Sequence, residues 1–451
     1  MKKIICETGR LSCEDLQVVV LMGGLGSRLK EQTVDCPKPL VPIHGTPFFE
    51  YELNLLLQSG FKKFVFLTGY RANMIEEYFG DGSRYGKDIS IRYSYDGEKL
   101  LGTGGAVIRA LPFLEEDFML VYADSFMDVD YFQIMHRYFA GKPAGKKALM
   151  TVMENADRFD KSNVIFKDGE IKVYDKKNIT REMTYIDYGI EIFSREVFEA
   201  FKKSSEEKAV DLSDIQRELV EKKRCAACEV HHRFYEIGTP ASLAEFSDYV
   251  EKRFRELHGV CFLDRDGVIN EITFNEDTEQ LDSPLSVSQF RFLPGAVDGL
   301  KKLYKSGMEL FIVTNQPAAA KGKTTLSKLY DINTFMVKEL RKEGIEIAEV
   351  SVCPHHPVGS DKAKERFLIR DCNCRKPGAG LLLKIMKKHR IDPARSYMIG
   401  DSYTDMLAGR TAGVKLAFIG DYKCDVCGRL QYVKPDIIGK NLLEVAEKIV
   451  C

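Results

Sequence analysis

Apolar residues along this chain gather in short unbroken runs that end in glycine or aspartate, and between those runs they recur at helical spacing. The first runs are "LQVVVLMGG", "KKFVFLTGY" and "DFMLVYAD". Consecutive apolar positions of this length fit strands buried on both faces of a parallel sheet. Between them, "FFEYELNLLLQSG" carries a helical pattern and closes on a glycine stop. Such alternation predicts a doubly wound α/β sheet. It breaks at the charged stretch "YVEKRFRELHGV" and restarts with "GVCFLDRDG", "MELFIVTNQ", the helical "TTLSKLYDINTFMVKELRKEG", "EIAEVSVC" and "SYMIGDS". Two α/β domains are expected, over 1–250 and 258–451, joined by a short, charged, helical connector.

Composition adds bounds. A chain of 451 residues is too long for one hydrophobic core. A net charge of −1 argues against a general nucleic-acid binder. No apolar run is long enough to span a bilayer. The opening "MKKIICETGRLSCEDLQ" has no apolar core of signal-peptide length, so a cytoplasmic location is expected. The twelve cysteines then read as free thiols or metal ligands rather than disulfides.

The first candidate chemistry is "LMGGLGSRLKEQTVDCPKPLVPIHG". Gly23, Gly24 and Gly26 let backbone N–H groups approach phosphate oxygens with no Cβ in the way. Arg28 offers a fork of donors suited to phosphate. No Gly-Lys-Ser/Thr closes the segment, so it is not a P-loop.

This segment resembles the nucleotidyltransferases that activate sugar 1-phosphates, whose Gly-Gly-x-Gly-x-Arg is followed by Pro-Lys-Pro, here Pro37, Lys38 and Pro39. Further matches cover most of residues 17 to 250. "LLGTGGAV" resembles the base and ribose loop (Leu101, Gly102, Thr103, Gly104), Asp124 in "VYADSF" stands where the family holds Mg²⁺, and Lys176 in "KVYDKK" stands where it contacts sugar or phosphate. The resemblance implies a Rossmann-like mixed sheet and attack of a sugar phosphate on the α-phosphorus of a nucleoside triphosphate. Charge neutralisation and in-line positioning by Arg28, Lys38 and Mg²⁺ on Asp124 suffice for that reaction. The family's second metal-binding Asp is replaced by Glu236 in "YEIGTP", which can reach Mg²⁺ through a longer arm. Asp187, in "YIDYGIEIF", falls in the sugar-contacting region and reads equally well as a turn carboxylate. The guanylyltransferase-like members match best, although uridylyl and cytidylyl relatives share these motifs.

In the second half, "VCFLDRDGVIN" sets Asp264 and Asp266 two apart after an apolar strand. A strand-end carboxylate can attack phosphorus, and a neighbouring one can protonate the leaving alcohol and then activate water. "FIVTNQ" adds Thr314 and Asn315 for the phosphoryl group, "CRKPG" adds Lys376, and "MIGDSYTDM" adds Asp401 and Asp405 as carboxylates for Mg²⁺. This ordered set resembles the haloacid dehalogenase superfamily of phosphatases across residues 260 to 420. The resemblance implies a parallel sheet, Asp264 as nucleophile and Asp266 as acid and base. It also implies Mg²⁺ on Asp264, Asp401 and the Asp266 backbone carbonyl, with Asp405 a further candidate.

Within that superfamily "CPHHP…CNCRKP" resembles the heptose 1,7-bisphosphate 7-phosphatases and the histidinol-phosphate phosphatases, which carry a zinc-stabilised loop. Cys353, His355, Cys372 and Cys374 then form the expected structural Zn²⁺ site, with His356 the rival of His355. The loop would deliver Arg375 to a substrate phosphate. Where the family continues Thr-Asn-Gln with Ser-Gly-Ile and Arg-Gly, this chain reads "TNQPAAAKGKTT", with Pro317 and Lys321. The pairs Cys225/Cys228 and Cys424/Cys427 read as free thiols or local hairpins rather than a second zinc site.

Together the two resemblances imply a bifunctional enzyme that removes the 7-phosphate of heptose 1,7-bisphosphate and joins the resulting 1-phosphate to a guanylyl group from GTP. The alternatives are another sugar phosphate, such as mannose, with another nucleotide, or an N-terminal domain that only senses nucleotide sugars.

Overall fold

The structure is a computed structural model describing residues 11–23, 36–97, 101–204, 209–275, 280–420 and 433–450. It divides into two compact units, Met1–Tyr249 and Val250–Cys451. The division falls at the end of the helix Pro240–Val250, which continues into a π-helical turn, Glu251–Arg255.

Among the described residues the N-terminal unit has a nine-stranded mixed sheet. Its parallel part runs Ser90–Tyr95, Lys63–Thr68, Gln17–Leu21, Asp117–Tyr122. The strand Tyr185–Ser194 then pairs antiparallel with Asp117–Tyr122 and with Ala148–Glu154. Val18, Val19 and Val20 are fully buried, as a central strand covered on both faces requires. The helix Phe48–Ser59 buries Phe48, Phe49, Leu53 and Leu56, and Gly60 ends it in the left-handed region at φ 102°, where glycine carries no Cβ penalty.

The strand Asp117–Tyr122 leads directly to Asp124, and its first residue is anchored by a buried ion pair. Lys142 Nζ lies 2.5 and 2.6 Å from the two Asp117 oxygens, and the Tyr138 hydroxyl donates to Asp117 at 2.5 Å.

The C-terminal unit has a six-stranded sheet in the order Glu349–Cys353, Glu309–Asn315, Val260–Leu263, Tyr397–Gly400, Lys415–Ile419, Ile437–Gly439. Every neighbouring pair is parallel. Chain order reverses beside Val260–Leu263, and a doubly wound sheet offers its ligand crevice at the carboxyl ends of strands flanking such a point. The helix Leu326–Lys342 begins where Thr325 accepts from the Lys328 N–H at 3.4 Å.

Replacing Asp117 with Ala strands a buried ammonium and a buried hydroxyl. The Asp117→Ala variant should lose about 3–5 kcal/mol of stability in the N-terminal unit's denaturant transition. The double variant Asp117→Leu, Lys142→Met should recover much of that loss.

Candidate active sites and metal centre

In the N-terminal unit the parallel strands deliver their chemistry at their carboxyl ends. Gly23 follows Gln17–Leu21; Gly24, Gly26 and Arg28 lie outside the described residues. Lys38 opens a short 3₁₀ turn, and its Nζ sits 3.0 Å from Asp124 Oδ2. The strands Ser125–Phe126 and Tyr235–Glu236 pair antiparallel, which sets Glu236 opposite Ser125 and next to Asp124, while Ile237 N donates to the Asp124 carbonyl at 3.1 Å. A cavity of about 300 Å³ is lined by Asp124, Glu236, Lys176 and Asp187, with Asp160 and Lys161 also on its wall.

Lys176 Nζ lies 3.3 Å from Asp187 Oδ2. Burial works against the Lys176 ammonium, but the Asp187 and Glu191 carboxylates outweigh it and the pKa is raised. Glu191 is fully buried, which holds its carboxyl well above the usual range, and Gln216 donates to it at 2.9 Å. Leu101 precedes the helix Gly102–Ala110, so Gly102, Thr103 and Gly104 form its first turn. A Cβ on Gly102 would fall 2.6 Å from the Val210 carbonyl, and the Thr103 hydroxyl accepts from Leu212 N at 2.9 Å. This turn is thereby fastened to the start of the helix Leu212–Glu221.

In the C-terminal unit three adjacent strand ends converge. Asp264 follows Val260–Leu263, Thr314 and Asn315 close Glu309–Asn315, and Asp401 follows Tyr397–Gly400. Lys376 is 2% exposed and its Nζ lies 2.9 Å from Asp264, 2.6 Å from Asp405 and 2.9 Å from the Val313 carbonyl. Asn315 clamps it from behind: Lys376 N donates to Asn315 Oδ1, and Asn315 Nδ2 donates to the Lys376 carbonyl, each at 3.0 Å. The Asn315 amide is thus engaged with backbone.

Ligand atoms of Asp264, Asp401 and Asp405 lie within 4.8 Å of one another. Burial pushes the Asp264 carboxyl up to about 7 against the pull of Lys376, and burial with Asp264 and Asp405 nearby pushes Asp401 up to about 8. Three desolvated carboxylates facing one buried ammonium leave negative charge uncompensated, which fits a divalent cation on oxygen ligands. Asp405 Oδ2 accepts from Ser402 N and Oγ, and Oδ1 faces Lys376. Its oxygens are committed, so it serves as the anchor of Lys376 more readily than as a ligand.

Cys353, His355, Cys372 and Cys374 also meet within 4.8 Å. The sulfurs lie 3.2, 3.3 and 3.5 Å apart, and His355 Nδ1 is 3.3 Å from Cys374 and 3.8 Å from Cys353. A tetrahedron of donors at ~2.3 Å from a central ion has edges of about 3.8 Å, so this set fits one metal after slight expansion. The neighbouring Cys353 and burial push the Cys374 thiol up to about 12, the state of thiols crowded together without a cation between them. His356 instead turns its Nδ1 toward Val358 N at 3.1 Å, which decides between the two histidines. Arg375 Nη1 reaches back to the His355 carbonyl at 3.5 Å. Cys225 and Cys228 lie on the strand Cys225–Val230, with Cys225 half-buried and Cys228 buried, and Cys424 and Cys427 lie outside the described residues.

A family model described as nucleotidyl transferase matches residues 17–253. The chain belongs to that family. A second model, HAD-hydrolase-like, matches residues 373–445. The chain is 36% identical over 160 residues to a D-glycero-beta-D-manno-heptose-1,7-bisphosphate 7-phosphatase of Haemophilus influenzae, covering 36% of this chain and 80% of the relative. It is 32% identical over 160 residues to a D-glycero-alpha-D-manno-heptose-1,7-bisphosphate 7-phosphatase of Photorhabdus laumondii, covering 36% and 81%. It is 30% identical over 233 residues to a D-glycero-alpha-D-manno-heptose 1-phosphate guanylyltransferase of Campylobacter jejuni, covering 51% and 98%. This chain is therefore a nucleotidyl transferase joined to a HAD-type phosphatase.

The geometry of this phosphatase unit includes residues the motifs did not single out. Asp266 accepts from Arg265 Nη2 at 2.9 Å, Asn270 at 2.9 Å, Ser283 at 2.7 Å and Gln316 at 2.6 Å. Although burial opposes it, the Arg265 guanidinium and these donors hold the Asp266 carboxyl below its usual range. Arg265 is fully buried, and its Nη1 donates to Asn333 Oδ1 at 2.7 Å. Gln316 also donates to Thr314 Oγ1 at 2.9 Å, tying the two strand ends together. The only hint in the sequence was an arginine between the paired aspartates.

Removing that guanidinium leaves Asp266 and Asn333 short of donors in a dry site. Arg265→Met should destabilise the phosphatase unit by about 3–5 kcal/mol in denaturant unfolding, with Arg265→Lys recovering part of it.

Proposed function

We propose that the chain carries out two consecutive steps in making a nucleotide-activated heptose: hydrolysis of the 7-phosphate of D-glycero-D-manno-heptose 1,7-bisphosphate, then guanylyl transfer from GTP to the heptose 1-phosphate. The observation that carries this reading is that one chain holds both constellations, each with relatives whose names state one of the two steps.

In the phosphatase unit the Asp264 carboxylate attacks the 7-phosphoryl group as the P–O bond to the sugar breaks; Asp266, which its donors hold ionised here, takes up a proton from solvent as substrate binds and gives it to the departing C7 oxygen. Water then attacks the aspartyl-phosphate, its proton goes to Asp266, and inorganic phosphate leaves. Lys376 offsets charge on the nucleophile, and Thr314 holds a phosphoryl oxygen. In the transferase unit Lys38 and Arg28 meet the triphosphate while Lys176 and Asp187 face the sugar phosphate. Mg²⁺ on Asp264 and Asp401 in one unit, and on Asp124 and Glu236 in the other, would supply charge neutralisation for the phosphoryl oxygens. Zn²⁺ on Cys353, His355, Cys372 and Cys374 would fix the loop that carries Arg375.

The anomer follows from chemistry. Breaking a bond at phosphorus on C7 leaves C1 untouched, so the phosphatase passes on the anomer it receives. The transferase relative is named for the alpha 1-phosphate, and phosphatase relatives are named for either anomer. Two steps in one chain connect only if the phosphatase works on the alpha bisphosphate.

Given alpha heptose bisphosphate, Mg²⁺ and GTP, the protein should release phosphate and then pyrophosphate. Phosphate release without pyrophosphate under any nucleoside triphosphate would overturn the bifunctional reading. Asp264→Asn should cut phosphate release by about 10⁴-fold or more and leave transfer to added heptose 1-phosphate intact. Lys38→Ala should do the reverse, costing transfer about 10²-fold.

Metal analysis of the purified chain should find about one zinc per protein, lost in Cys372→Ser. Chelation should weaken selection of the bisphosphate over simple phosphate esters before it abolishes hydrolysis; equal loss of both would argue against a loop-fixing role.

A further inference from the structure

Three adjacent parallel strands, Gln17–Leu21, Lys63–Thr68 and Ser90–Tyr95, end side by side at Gly23, Gly69 and Asp96. The Asp96 carboxylate lies over the other two strand ends. Its Oδ2 is 2.8 Å from where a Cβ on Gly23 would stand and 2.9 Å from where one on Gly69 would stand. Neither position could carry a side chain without displacing the carboxylate, so two glycines form a cradle for it.

The backbone of Asp96 is firmly held. Its N–H donates to the Thr68 carbonyl at 2.9 Å, and Arg109 Nη1 donates to the Asp96 carbonyl. Arg109 Nη1 thus bonds main chain, while the Arg109 charge partly offsets the desolvation of the carboxylate without donating to it. Among the described residues nothing donates a hydrogen bond to the carboxylate, although burial already pushes its pKa up. A half-desolvated acceptor without a donor is costly to maintain, which points to a ligand that brings donors. It lies beside the first glycine of the phosphate-contacting turn and one short segment before the Leu101–Gly104 turn.

Resting on the guanylyl-transfer reading, we infer that Asp96 is the residue that selects the base, its two oxygens accepting from the N1–H and the 2-amino group of guanine. An ionised carboxylate only accepts hydrogen bonds, and it does so best from two parallel N–H groups. Guanine is the one common base that presents two adjacent donors on its pairing edge. Uracil presents one N–H between two carbonyls, and cytosine and adenine each set an amino group beside a bare ring nitrogen. Against those edges a carboxylate meets lone pairs, and a site built for hydrogen bonds then rejects the mismatched base strongly.

The test is direct binding of nucleoside triphosphates to the whole chain, without sugar, by calorimetry. Inosine triphosphate lacks the 2-amino group, and xanthosine triphosphate replaces it with a carbonyl. The natural protein should bind GTP roughly 10- to 100-fold more tightly than inosine triphosphate, the effect of one charge-assisted hydrogen bond. Asp96→Asn introduces one acceptor and one donor, matching N1–H and the xanthine carbonyl. It should reverse the order, favouring xanthosine triphosphate over GTP by roughly 10-fold or more. Asp96→Ser should erase the preference for GTP over inosine triphosphate with no gain for xanthosine triphosphate. A gain of binding cannot come from misfolding, so reversal supports the assignment. It is overturned if both variants keep the natural order, or if the natural protein binds UTP or ATP as tightly as GTP. If the nucleotide order behaves as stated but no pyrophosphate appears with heptose 1-phosphate, Asp96 stands as the base selector and the heptose reading alone is lost.

Discussion

The Lys376 ammonium sits between Asp264 and Asp405 with almost no contact with water, and the chemistry of the phosphatase unit is arranged around it. A buried cation is tolerable only when its partners are placed in advance, because desolvating either sign alone costs several kcal/mol. The fold supplies that placement through three parallel strands whose carboxyl ends carry Asp264, Thr314 with Asn315, and Asp401. Asn315 grips the Lys376 main chain, Asp405 takes one side of the ammonium, and Ser402 in turn fixes Asp405. Asp264 is left facing one ammonium, with the Asp401 and Asp405 carboxylates also close by. The same burial that raises its pKa makes the anion a stronger nucleophile once a cation offsets its neighbours.

The transferase unit meets the same constraint with a different balance. Glu191 lies fully buried beside Lys176, Asp187 and Gln216, so the Lys176 and Asp187 charges on the cavity wall are backed by a further carboxyl group. Lys38 and Asp124 are likewise paired, but Asp124 keeps substantial exposure, as a carboxylate open to a ligand should. Buried pairing at Lys176 and Asp187 thus accompanies an accessible carboxylate at Asp124. That is what a reaction needs when it depends on positioning rather than on a protein nucleophile.

How much of this could be read from residues alone depends on distance along the chain. Strand-end chemistry is legible because an apolar run and the candidate carboxylates that follow it are contiguous, as in "VCFLDRDG" and "MIGDSYTDM". The parallel strands with an unbroken apolar run were readable for the same reason, whereas Ser90–Tyr95, Lys415–Ile419 and Ile437–Gly439 were not singled out. The antiparallel strands Val164–Lys167 and Glu170–Tyr174 were not, since their alternating polarity lacks an unbroken apolar run. The donors around Asp266 were hidden more deeply: Ser283 and Gln316 lie 17 and 50 residues away and meet it only through tertiary packing. Sequence favours His355 over His356 only through the C-x-H spacing of the resembled family, and it is the path of the loop that turns one toward the thiols and the other toward Val358. Asp96 went unread because a lone aspartate after a strand has no signature until two neighbouring strand ends prove to be glycine.

The two candidate metal sites of the phosphatase unit divide their work by donor chemistry. Thiols and imidazole favour a soft or borderline ion, whereas Asp264 and Asp401 offer hard oxygens suited to Mg²⁺. With four protein donors converging on one centre, the thiol site has no open position at which a substrate could bind. An ion there can act only through the shape of the chain that holds it. That chain runs from Cys353, at the end of a sheet strand, to Cys374, and the next two residues are Arg375 and Lys376. Arg375 reaches the carbonyl of the ligand His355, and the Lys376 main chain is clamped by Asn315 on a neighbouring strand. Closing the loop on a metal would therefore fix the entry of the chain into Lys376 from one side while the sheet fixes it from the other. An ion held there would bear on the surroundings of Lys376 without itself reaching a substrate.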